Sequence, residues 1–148
     1  MCETNSDLIR ETWKDLPQFS ILKKFLGKIR SSFVKSPARK RRYLNHLRMN
    51  GINSPRKIPL PNQTRWNSWF EMVFYTKEHI QYWQDFFKRE YEKDSQNETI
   101  IFIHTILQNP NEIGIIIIYV NFISIYAKKF VQDFDFFQQQ NKQVFPFC

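Results

Sequence analysis

The chain has 148 residues, a length that supports one domain with its own core, and its 42% hydrophobic and 17% aromatic content excludes wholesale disorder. A net charge of +8 points to an anionic partner, with nucleic acid first and an anionic membrane surface second. Up to Lys57 there are 14 Lys and Arg against 4 Asp and Glu, and beyond it 8 against 10, so the positive field sits at one end.

Only 3 glycines occur, and the patterned stretches outrun a strand of five or six residues, which predicts an all-α fold. The N-terminal Met-Cys-Glu-Thr-Asn-Ser-Asp lacks the basic and apolar regions of a secretory signal. With just Cys2 and Cys148 as cysteines, a reducing compartment is expected, without a disulfide framework. A first short helix is predicted over 6–14, with Ser6 as N-cap and Pro17 as interruption. A second begins near Gln18 and ends near Val34. Its Leu22, Phe25, Leu26, Ile29 and Phe33 recur at i, i+3, i+4, i+7 and i+11, the spacing of one buried face.

Ser36-Pro37 is an N-cap followed by proline at the first helical position, and Gly51 is a stop, so the third helix covers 37–49. Between Lys35 and Lys57 lie 8 basic residues and no acidic one. Within the helix, Arg39, Lys40, Arg41 and Arg42 are too many cations to be paired locally and call for solvent or phosphate; Arg48 extends the same set. The Lys40-Arg41-Arg42 run also suits nuclear import, which makes the nucleus the expected location, otherwise the cytoplasm.

Pro55, Pro59 and Pro61 hold 52–63 extended. A long aromatic helix follows from about Arg65 to Tyr91, capped by Asn62 or Thr64, with Trp69, Val73, Ile80, Trp83, Phe87 and Tyr91 on or near one face. Asp85 and Glu90 on it are expected to solvate its outer side. The C-terminal part reads as a helix over 98–108, a turn at Asn109-Pro110-Asn111, and a strongly apolar helix over 112–138. The apolar run Ile113–Ala127 is 15 residues, short of the roughly 20 that span a bilayer, so no membrane crossing is expected. Being apolar all round, it calls for burial on all sides, inside the domain or against another part of a larger protein. The whole chain thus reads as one helical region: basic helices over 1–57, a Pro-rich connector over 58–64, the aromatic helix over 65–92 and an apolar pair over 98–138.

His46, His79 and His104 stand on three different helices without metal-type spacing to either cysteine. No phosphate loop, dinucleotide glycine fingerprint or nucleophile elbow is present, so no catalytic residue and no metal ligand is assigned, and no cofactor is expected. What remains is Arg65 and Trp66 beside the basic helix. A guanidinium can hold phosphate through two bonds, and an indole at a helix mouth can stack on an unpaired base. Trp66 serves one of two ends: it stacks on DNA, or it packs as Trp69 and Trp83 do.

Residues 61–73, Pro-Asn-Gln-Thr-Arg-Trp-Asn-Ser-Trp-Phe-Glu-Met-Val, preceded by Phe33-Val34-Lys35-Ser36-Pro37-Ala38-Arg39, resemble the helical insertion domain of hAT-superfamily transposases over about Phe19 to Tyr91. The resemblance implies an irregular multi-helix bundle that, in the family, interrupts an RNase H-like core with an Asp-Asp-Glu metal site. That core is absent from this chain, its aspartates and glutamate have no counterpart here, and Cys2 is followed by Glu3 and not by the family's Cys-x-x-His pattern. The divalent metal of the full family therefore has no ligands to bind. What the resemblance carries over is Arg65 and Trp66, the pair whose tryptophan stacks at the transposon end. The expected function is DNA binding without catalysis, through Arg65, Trp66, Arg39, Lys40, Arg41, Arg42 and Arg48. The alternative is a helical interaction module that self-associates, or docks on the missing core, through Ile113–Ala127.

Overall fold

The computed structural model describes residues 19–59 and 68–141, and among them every regular element is a helix. The predicted helix at 6–14 and the Thr64-Arg65-Trp66-Asn67 segment lie outside the described residues. Helix α1 (Phe19–Val34) buries Leu22, Phe25, Leu26, Ile29 and Phe33, the five residues its spacing set on one face.

Helix α2 (Pro37–Met49) begins as the sequence predicts. Ser36 is the N-cap, its hydroxyl accepting the Arg39 amide at 3.2 Å, and Pro37 takes the first position. At the far end Gly51 adopts φ 91°, the left-handed region where a side chain is strained. That conformation lets the Ile52 amide reach the Leu47 carbonyl at 3.1 Å and the Gly51 amide reach Arg48 at 3.0 Å, closing the last turn.

Helix α3 (Ser68–Lys93) is the axis of the bundle. It packs against α4 (Glu98–Gln108) and α5 (Pro110–Asn141), while α1 lies against α4 and α2. Phe33 sits where α1, α2 and α3 meet, with ring centroids 5.0 Å from Tyr43, 5.9 Å from Phe86 and 5.9 Å from Phe87. Aromatic pairs of this kind contribute about 0.5–1.5 kcal/mol each beyond the area they bury.

The predicted Asn109-Pro110-Asn111 turn shrinks to one residue. Asn109 ends α4 through its amide to the Ile106 carbonyl at 3.1 Å, and its side chain starts α5 by accepting the Asn111 amide at 3.1 Å. Proline at the first helical position costs nothing there, so α5 starts at Pro110 and not at Glu112.

Burial of α5 on all sides is not what the bundle provides. Ile116, Val120, Ile123 and Ala127 form a buried stripe, whereas Ile118, Ile125 and Tyr126 are 68%, 64% and 61% exposed. Among the described residues, the other four helices leave one side of α5 open. The segment Pro110–Lys129, 20 residues with the earlier start, is also long and apolar enough to cross a membrane by length and composition.

Candidate nucleic-acid interface

The pattern on α2 divides its residues between two sides. Arg39, Tyr43, His46 and Leu47 are buried, at i, i+4, i+7 and i+8, while Arg41, Asn45 and Arg48 are exposed and fall at i, i+4 and i+7. Lys40, Arg42 and Leu44 lie at the margins, half-buried.

Two of the cations expected to need solvent or phosphate are already engaged. Arg42 donates from Nε to Glu90 Oε1 at 2.8 Å and from Nη2 to Glu90 Oε2 at 2.9 Å. Arg39 is 7% exposed, donates from Nη1 to the Ser32 carbonyl at 2.7 Å, and holds its Nε 3.8 Å from Glu90 Oε2. No local partner is found, as expected, but the need for solvent or phosphate does not hold for these two, because their partner comes from another helix. Glu90 does not solvate the outer side of α3; it is 2% exposed and turned toward α2. Its position seven residues after Trp83 places it on the buried face, which was the signal available in the sequence. The Glu90 hydrogen bond raises the Arg42 pKa above its ordinary value.

With Arg39 and Arg42 occupied, Lys40, Arg41 and Arg48 are the cations α2 presents without an ion-pair partner among the described residues. No acidic residue lies on α2 to offset them. Arg65 and Trp66 lie outside the described residues, so the structure brings neither to this face nor away from it.

Beneath α2 the core carries a buried polar chain. Trp83 Nε1 donates to the Tyr43 hydroxyl at 3.0 Å, the Tyr43 and Tyr75 hydroxyls are 2.9 Å apart, and Tyr75 donates onward to the Arg56 carbonyl at 2.9 Å. Burial pushes the Tyr43 pKa up to about 12 and that of Tyr75 upward as well, so both stay neutral donors. The chain of bonds ties the connector at 52–59 to the core. Arg56 is further held by an ion pair to Glu78, and Ile58 is 8% exposed.

The histidines are drawn into helix packing. His46 Nε2 lies 2.9 Å from the Tyr82 carbonyl, His79 stacks on Tyr75 at 3.8 Å, and His104 stacks on Tyr91 at 4.4 Å. Burial lowers the His79 pKa. Among the described residues no group of three or more His, Cys, Asp or Glu is gathered to hold a metal ion.

Two hollows adjoin the connector. One, of about 100 Å³, lies between α2 and the connector, with Lys40 and Lys57 on its wall and no carboxylate. The other, of about 510 Å³, lies between the connector, α3 and α5 and mixes Arg56, Lys77 and Lys128 with Glu71 and Glu78. Only the first has the charge a phosphate seeks.

Compared with family models, with curated proteins and with solved structures, the chain matches none.

Proposed function

We propose that this chain is a DNA-contacting helical segment of hAT-like transposase type, catalytically inactive by itself, that binds transposon-end or otherwise distorted DNA. The observation that carries the proposal is the acid-free set Lys40, Arg41 and Arg48, left without an ion-pair partner among the described residues after Glu90 has taken Arg39 and Arg42. Arg41 and Arg48 stand two turns apart on the exposed side of one helix, a spacing that lets both meet the backbone of one duplex. Arg65 and Trp66 complete the proposed contact, with the guanidinium on phosphate and the indole on an unpaired base. The nucleus is the proposed location, on the strength of the same basic run.

Fluorescence anisotropy with a mismatched duplex tests this. Four phosphate contacts, from Lys40, Arg41, Arg48 and Arg65, give a slope of about −3.6 in log affinity against log salt, a roughly 150-fold fall between about 50 and 200 mM. Replacing Lys40, Arg41 and Arg48 together by Ala should flatten that slope; an unchanged slope overturns their role.

A second function, protein interaction through α5, is favoured by the exposed Ile118, Phe122 and Ile125, whose spacing of four and then three residues is that of a helix seam. The partner proposed is a second copy of this chain. Light scattering that gives a monomer mass at all concentrations, with no change on Ile118→Lys, would overturn it.

A further inference from the structure

The connector carries a lysine that the basic helix alone does not account for. Lys57 is exposed, but the residues on either side of it are fixed: the Arg56 carbonyl accepts from Tyr75 at 2.9 Å, the Arg56 guanidinium pairs with Glu78, and Ile58 is buried in the core. A residue held between two anchors loses little backbone freedom when its side chain engages a ligand. The same anchors bring Lys57 to the hollow that Lys40 lines from α2, above Phe33, Tyr43, Leu44 and Ile58.

Three features of this hollow narrow what it takes. Lysines from two separate elements line it without a carboxylate, and neither is in an ion pair among the described residues, which suits an anionic ligand. Its lining is otherwise largely apolar, which offers a surface to a sugar ring. At about 100 Å³ it is well below the roughly 300–1,000 Å³ of sites that enclose a free small molecule. A hollow of that size suits one group of a polymer that continues along the surface.

We infer that Lys40 and Lys57 together seat one backbone phosphate of a bound polynucleotide, with the attached sugar resting on Leu44. This rests on the DNA binding proposed above and extends the contact from α2 onto the connector. The seat lies beside the exposed α2 cations, so it adds a phosphate contact and a fixed register without reading sequence.

Duplex binding by the full chain, with Lys40→Ala, Lys57→Ala, the double variant and Lys77→Ala as a control on the mixed-charge hollow, tests the inference. Two amines on one phosphate are coupled, so each single change should weaken binding about five- to tenfold and the double change scarcely more, with the salt slope lowered by about 1. Lys77→Ala should leave both unchanged. If the parent binds duplex and Lys57→Ala binds equally well, the seat is wrong while the DNA reading survives; fully multiplicative losses with a slope change near 2 would mean separate phosphates and also overturn it. If the parent binds no duplex, that reading fails, and the seat is judged by inorganic phosphate titrated at constant ionic strength against amide NMR shifts. Shifts concentrated at Leu44, Lys57 and Ile58 then support an anion seat of non-nucleic origin, replacing the polynucleotide assignment, and shifts spread over all surface lysines remove the seat altogether.

Discussion

Arg42 and Glu90 lie 48 residues apart in the chain and meet through two parallel hydrogen bonds of 2.8 and 2.9 Å. The pair joins α2 to α3 and shares its carboxylate with Arg39, so that one buried acid engages two cations of the basic helix. Its role is to hold α2 in place and to decide which cations face outward.

Glu90→Ala should therefore destabilise the fold by about 3 kcal/mol, because it leaves the buried Arg39 guanidinium without a counter-charge. Arg41→Ala, on the exposed side, should change stability by less than about 0.5 kcal/mol. Urea unfolding followed by tryptophan fluorescence measures both, and equal midpoints for the two variants would contradict the assignment.

Tyr43→Phe removes the acceptor for Trp83 Nε1 and one partner of the Tyr75 hydroxyl. A buried donor left unsatisfied costs about 1–3 kcal/mol, and the loss should appear in the same urea titration. Tyr75→Phe should release the connector at Arg56, seen as faster amide exchange at Ile58 while α1 keeps its protection.

Stability should also depend on pH at both ends of the scale. Burial lowers the His79 pKa, so below about 6.5 the unfolded chain takes up the proton first, and stability falls as the pH drops through that value toward the folded pKa. Tyr43 behaves in the opposite sense: its pKa rises from 10.0 to about 12, so its contribution is complete below 10 and is lost between 10 and 12. Thermal unfolding of His79→Gln should show a weaker acid dependence than the parent; an identical acid profile would exclude His79 as its source.

The helices were legible where local rules decide. Ser36-Pro37 and Gly51 bound α2 by chemistry contained within a turn, and the period of Leu22 to Phe33 marks a face whatever packs on it. The fate of the cations was less legible, because Arg39 and Arg42 find their acid on another helix, and counting charges along α2 cannot reveal a partner 48 residues on. Asn109 could have been read as a cap on both sides, since asparagine before proline suits an N-cap as well as a turn. For α5 the composition left two readings, burial inside the domain or against another part of a larger protein, because an apolar surface says that burial is favourable and not what supplies it. For Lys57 the signal was spatial, through Tyr75 and the Arg56 carbonyl, and no spacing in the sequence encodes it.

The proposed contact with distorted DNA runs through Arg65, Trp66 and the outward cations of α2. The most direct measurement is its affinity for a hairpin-ended duplex at about 50 mM salt, where backbone contacts are weakened least, comparing the parent with Trp66→Ala. Loss of one stacked base should weaken the variant by roughly 5- to 150-fold, about 1–3 kcal/mol, with a smaller effect on fully paired DNA. Absence of binding by the parent, or equal binding by the two proteins, would contradict it.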